Sequence, residues 1–203
     1  MDRRTAFQPL AVVMLAIAGL LLGACSDSGK PSFNSIDVTG ADYAKDFALN
    51  DHDGKPRTLK DFQGRIVVMF FGYTQCPDVC PTSLSELVTV KKMLGADGDK
   101  LQGLFVTIDP ERDTPALLKS YVSNFDPGFL ALHADTPEKL TALAKDYKVY
   151  YKKVAGKTPT SYTMDHSAGM YVYDTQGRLR LYTRYGSGAA ALAADIQVLL
   201  REK

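Results

Sequence analysis

Six consecutive apolar residues, Ile66-Val67-Val68-Met69-Phe70-Phe71, dominate the hydrophobic pattern. Without a polar alternate they read as a central strand covered on both faces. Leu104-Phe105-Val106-Thr107-Ile108 predicts a second buried strand, and Phe129 to Leu132 a shorter one. After Pro81, the residues Leu84, Leu87, Val88 and Leu94 fall at helical spacing. Thr114 to Asn124 and Thr136 to Tyr147 read as helices, each with a proline (Pro115, Pro137) at the first helical position, where no N–H is needed. Phe47-Ala48-Leu49 and Thr58-Leu59 flank the polar turn Asp51-His52-Asp53-Gly54, a hairpin pattern. A second strand pair, Gly169 to Tyr173 and Leu179 to Tyr185, brackets Asp174-Thr175-Gln176-Gly177. Leu192, Ile196, Leu199 and Leu200 form the stripe of a last helix. Strands alternating with helices and closing on an antiparallel pair predict a three-layer α/β sandwich with an added N-terminal β-hairpin over residues 44–203.

The first 25 residues stand outside this pattern. Arg3 and Arg4 precede an apolar stretch from Leu10 to Leu22. That stretch is shorter than the ~20 residues a bilayer span requires, and it suits the core of an export signal. It ends in Leu22-Gly23-Ala24-Cys25, which resembles the bacterial lipoprotein box. The expectation is a signal peptide over 1–24, acylation of Cys25, and a tether over 25–43, rich in Ser, Gly and Asp. An ordinary signal peptide with an incidental cysteine is the alternative. The lipoprotein reading puts the domain on a membrane, facing the periplasm, on the inner rather than the outer membrane.

Charge narrows the function classes. The chain carries 24 basic and 23 acidic residues, and loss of 1–24 leaves 22 of each. No basic run interrupts that balance, so nothing supports nucleic-acid binding.

Of three cysteines, one is the expected anchor, leaving Cys76 and Cys80 as a pair. In an export compartment such a pair is a redox couple or a metal site. It lies between a buried strand and a helix, where open α/β sheets place their sites. Starting that helix at Pro81, with Cys80 as its cap, sets both thiols above a helix N-terminus that favours thiolates. Two thiolates are soft ligands suited to Cu(I), with Zn(II) as competitor. A third ligand must come from three histidines. His52 sits in a polar turn and reads as solvated, and His133 ends a short strand. His166 precedes the Gly169 strand, on the connection that a thioredoxin-like topology sets opposite the cysteine turn. It is the candidate.

The segments FFGYTQCPDVCPTSL, VTIDPERDTP and DHSAGMYVYDTQG resemble the signature segments of the Sco/SenC family, and the similarity runs from about Phe33 to Leu200. The resemblance implies a thioredoxin-like fold binding one copper, as Cu(I) or Cu(II), through Cys76, Cys80 and His166. It implies a copper chaperone that assists assembly of the CuA centre of cytochrome c oxidase subunit II. A second periplasmic copper carrier and a thiol reductant are further implied partners. Asp109 matches an aspartate the family keeps near its site, and Gln75 stands where the family more often has histidine. Asp165 is a candidate for support behind His166, Met164 or Met170 for an axial ligand, and Tyr73 for the mouth of the site.

Two other chemistries use the same cysteines. A thiol-disulfide oxidoreductase would cycle Cys76 and Cys80 to reduce the CuA-site cysteines. Thioredoxin-type reductases, however, separate their cysteines by two residues rather than three and set a proline opposite, where this chain has Ser167-Ala168-Gly169. A peroxiredoxin-like peroxidase needs an arginine beside the cysteine, and the segment holds none.

Overall fold

The computed structural model describes residues 31–158 and 161–202. The expected signal peptide, with Cys25, lies outside the described residues. Those described carry β1 (Ile36–Asp37), β2 (Leu49–Asp51), β3 (Pro56–Arg57), β4 (Ile66–Gly72), α1 (Val79–Met93), β5 (Leu101–Thr107), α2 (Pro115–Ser123), β6 (Leu130–His133), α3 (Pro137–Asp146), β7 (Tyr151–Ala155), β8 (Tyr162–His166), β9 (Met170–Tyr173), β10 (Leu179–Thr183) and α4 (Ala189–Arg201).

Eight of these strands form one sheet in the order β1-β10-β9-β4-β5-β6-β2-β3. Every residue of β4 and β5 is buried, as their unbroken apolar runs require, and the two pair in parallel. Alternation along β4 sends Phe70 to one face, edge-on to Phe105, which in turn packs on Tyr121 of α2. Phe71 points the other way, onto Tyr147 at the end of α3 and Tyr171 of β9. Helices therefore cover both faces, and the three-layer expectation is met. Thr114 and Thr136 cap α2 and α3 by accepting from the N–H groups of Leu117 and Lys139, with Pro115 and Pro137 at the first helical positions.

Four details depart from the sequence reading. The hairpin forms, but Thr58 leaves it to cap a short 3-10 turn (Leu59–Phe62), whose Asp61 carboxylate accepts from the Thr58 N–H at 2.8 Å. From Phe33 onward the expected tether belongs to the domain: β1 pairs with β10, and buried Asp195 of α4 accepts from the N–H groups of Asn34 and Ser35, both at 2.8 Å. A two-stranded ribbon, β7 with β8, stands apart from the main sheet. Finally, α1 starts at Val79 rather than Pro81. Pro81 thus sits at the third helical position, still among the N–H groups that have no intrahelical acceptor. The carbonyl its ring would crowd, that of Pro77, lies outside the helix.

Candidate metal centre

Strand β4 ends at Gly72, whose carbonyl accepts from Ile108 N–H at 2.9 Å. A side chain there is excluded: an added Cβ would stand 2.7 Å from Cys80 Sγ and 2.8 Å from the Phe105 ring. The chain then turns, with Cys76 N–H donating to the Tyr73 carbonyl at 3.2 Å, and α1 begins. Cys80 occupies its second position, fully buried, while Cys76 is half-buried in the turn above. The Cys80 N–H points at Cys76 Sγ, 3.4 Å away.

His166 is the last residue of β8, and its imidazole reaches the same point. Its Nδ1 lies 2.8 Å from the Ser167 carbonyl, an oxygen that can only accept. Nδ1 therefore carries a proton, and in the neutral ring the Nε2 lone pair faces Cys80 Sγ at 3.6 Å. The two sulfurs and a ring nitrogen of His166 all lie within 4.8 Å of one another. Bonds of ~2.0–2.3 Å to a trigonal metal set ligand atoms roughly 3.8 Å apart, so the three fit around one ion. Tyr73, buried, meets the imidazole edge-on with centroids 6.0 Å apart, and with Cys76, Asp165 and His166 it lines an open cleft of about 350 Å³.

The two thiols are electrically unlike. Cys76 is lowered to about 4, because the Cys80 thiol donates to it and His166 and the N–H groups of Cys80 and Asp78 add to that, against the cost of burial. Cys80 is raised, because it holds its proton toward the Cys76 sulfur and is buried. Burial opposes charge on His166, yet the Cys76 sulfur and the Ser167 carbonyl outweigh it and raise its pKa. In the metal-free dithiol protein, iodoacetamide should therefore modify Cys76 well before Cys80. Its rate at pH 6 should stay close to that at pH 8, whereas an ordinary thiol would slow by nearly 100-fold. Peptide mass spectrometry against time checks both.

The remaining candidates divide. Asp109 is buried beside the site, but its carboxylate is occupied: Oδ2 accepts from Arg112 Nε at 2.5 Å and Oδ1 from the Tyr162 hydroxyl at 2.8 Å. Asp165 is exposed on β8, across the ribbon from Lys152, and contributes to the field that raises His166. Met164 is buried on β8, and Met170 is buried in β9 opposite Phe70, in the sheet. His52 is not solvated: its side chain is 6% exposed, and Nδ1 accepts from Ala131 N–H at 3.2 Å, because β2 is an interior strand paired with β6.

Two residues behind Asp109 went unread as parts of the site. Asp113 is buried and accepts from Thr74 Oγ1 at 2.5 Å and Thr107 Oγ1 at 2.6 Å, tying the cysteine turn to the end of β5. Arg112 reaches Gln75 and Tyr162. The signal available was four charged residues, Asp109, Glu111, Arg112 and Asp113, crowded directly after a buried strand.

Residues 37–201 match the SCO1/SenC family. The "Protein SCO2 homolog, mitochondrial" of Mus musculus is 41% identical over 142 residues, which is 69% of this chain and 54% of that protein. The chain thus spans about half the length of that relative. Bradyrhizobium japonicum ScoI, solved with copper bound, shares 43% identity over 76% of this chain and 98% of its own, with a TM-score of 0.68. Yeast Sco1, also solved with copper bound, shares 30% identity over 85% of this chain and 91% of its own, with a TM-score of 0.69.

Proposed function

The chain belongs to the SCO1/SenC family, and on that premise we propose that it binds one copper ion through Cys76, Cys80 and His166 and hands it to a partner. Convergence of two sulfurs and an imidazole nitrogen within 4.8 Å is the observation that carries this reading. Thiolates select a soft ion, and the neutral imidazole also accommodates the Cu(II) state. Two sulfurs and one nitrogen leave a coordination position open, toward a cleft that a partner's thiolate could enter to exchange ligands. The partner proposed is the CuA domain of cytochrome c oxidase subunit II, with another periplasmic copper carrier and a thiol reductant acting before transfer.

The same proposal places the domain at the periplasmic face of the inner membrane, held by a lipid on Cys25. Among the described residues no helix is long and apolar enough to cross a membrane. A chain with balanced charge gives no support to a nucleic-acid role.

The thiol asymmetry supports a second reading, reduction of a partner disulfide. The Cys76 thiolate would attack that disulfide, releasing one partner thiolate. Cys80, once deprotonated, would then attack the Cys76 sulfur and release the other. Two electrons pass to the partner and leave a Cys76–Cys80 disulfide, which an external dithiol must reduce. Burial of Cys80 raises its pKa and slows its attack, and His166 would contribute only by favouring the Cys76 thiolate. Copper binding therefore ranks first.

His166→Ala separates the two. Loaded with Cu(II), the wild-type protein should show one copper per chain and thiolate-to-copper charge-transfer bands. The variant should lose or shift those bands and hold copper less tightly, by roughly 100-fold or more. A variant with unchanged bands and affinity, or one that matures the oxidase normally while Cys76→Ser does not, would move the function to reduction.

A further inference from the structure

The ribbon carrying His166 hydrogen-bonds in register only with itself, so β-pairing to the main sheet does not set its distance from the cysteine turn. Side chains must do that, and one of them touches every part concerned. Arg112 lies in the loop between β5 and α2, its Nε anchored on the buried Asp109 carboxylate. Its Nη1 donates to Gln75 Oε1 at 3.0 Å, beside Cys76, and to the Tyr162 carbonyl at 2.9 Å, at the start of β8. The guanidinium stacks 3.5 Å from the centre of the Tyr162 ring, and the Tyr162 hydroxyl closes the circuit on Asp109. It also lies 5.6 Å from the Tyr73 ring, the ring that meets His166 edge-on.

Resting on the copper-binding reading, we infer that Arg112 is a positioning residue, which locks the histidine ribbon to the cysteine turn and so sets how long the site keeps its metal. Only a planar group with donors in several directions fills this role. It must hold a carboxylate, two carbonyl-type oxygens and an aromatic face at once, and a lysine has one charged point to offer. A lock is required because the ribbon has room to shift. Behind it lies a second cleft of about 290 Å³, bounded by Met164 and Tyr151 from the ribbon and by Ile108, Asp109 and Leu140 from the body. Without the guanidinium, the ribbon can lean into that space and carry His166 off the sulfurs, while Cys76 and Cys80 stay where they are.

The test uses the full chain loaded with Cu(II) alone, in wild-type, Arg112→Ala, Arg112→Lys and Gln75→Leu forms. It reads the charge-transfer bands and the rate of copper loss to a competing chelator, beside the melting temperature of each metal-free protein. Arg112→Ala should release copper about tenfold faster with altered bands, and Arg112→Lys should do the same. Added guanidinium ion should restore the slow rate to Arg112→Ala alone, which a general loss of stability would not allow. Gln75→Leu removes only an exposed acceptor and leaves the fold intact, so it decides the matter if Arg112→Ala melts early; it should release copper faster by a smaller factor. Variants that keep the wild-type bands and release rate would overturn the inference. A wild-type protein that takes up no copper would instead sink the copper reading, and this inference with it.

Discussion

Cys80→Ser should weaken copper binding by roughly 100-fold or more and leave a folded protein. The serine oxygen is smaller than the sulfur, so the pocket against Gly72 and the Phe105 ring accepts it. It is a hard donor that keeps its proton at neutral pH, and copper loses its most enclosed ligand. Sharing a metal-site free energy of ~10–16 kcal/mol among the ligands assigns ~3 kcal/mol or more to each, roughly 100-fold or more in affinity. A buried hydroxyl in place of the thiol costs the fold about 1–3 kcal/mol, which a domain of this size survives. Copper stoichiometry after gel filtration, with far-UV circular dichroism as the folding control, checks both halves. A variant that retains one tightly held copper would show that Cys80 is not a ligand.

Asp113→Ala should be the most damaging substitution away from the three proposed ligands. Its carboxylate accepts from Thr74 N–H, Thr74 Oγ1 and Thr107 Oγ1, all in one buried spot. Alanine leaves these donors without an acceptor, at about 1–3 kcal/mol for each buried group, and a loss on the order of 3 kcal/mol follows. The melting temperature should fall, and copper affinity with it, because Thr74 is two residues from Cys76. Asp113→Asn keeps one acceptor oxygen and should lose less than alanine.

The pH dependence of this site has an unusual sign. Burial raises the Asp113 pKa, with the hydroxyl donors of Thr107 and Thr74 only partly opposing it. The folded state therefore binds this proton more tightly than the unfolded chain does. As pH falls from neutral toward the ordinary value of 3.8, protonation of Asp113 adds to stability. Asp51 and Asp174 behave oppositely. Burial raises each, but the Arg57 and Arg178 side chains and backbone N–H groups outweigh it and lower the pKa, so their contribution is lost in acid. Asp113→Asn should accordingly show a steeper loss of melting temperature between pH 6 and 4 than the wild-type protein.

How much of this was legible in the chain differs by element. The buried strands β4 and β5 were readable because unbroken apolar runs leave them no exposed face. Helices α2 and α3 were readable because Thr-Pro pairs punctuate their starts. The ribbon was not, since Tyr151–Ala155 alternates too weakly and, of its two strands, only β8 buries a residue, Met164. His52 was misread because a polar local context does not disclose that an N–H of β6, that of Ala131, will donate to its ring.

The two proposed sulfur donors were legible in the order of residues alone. Two cysteines separated by three residues, across the start of a helix, bring their own sulfurs together, because a turn and one helical start span only a few ångströms. Only the packing of the layers turns Nε2 rather than Nδ1 of His166, 86 residues beyond Cys80, toward that sulfur, and sets Arg112 and Asp113 against the cysteine turn. Distances between segments remote in sequence depend on how layers pack, and which nitrogen is free depends on a single hydrogen bond to Ser167. No local pattern encodes either.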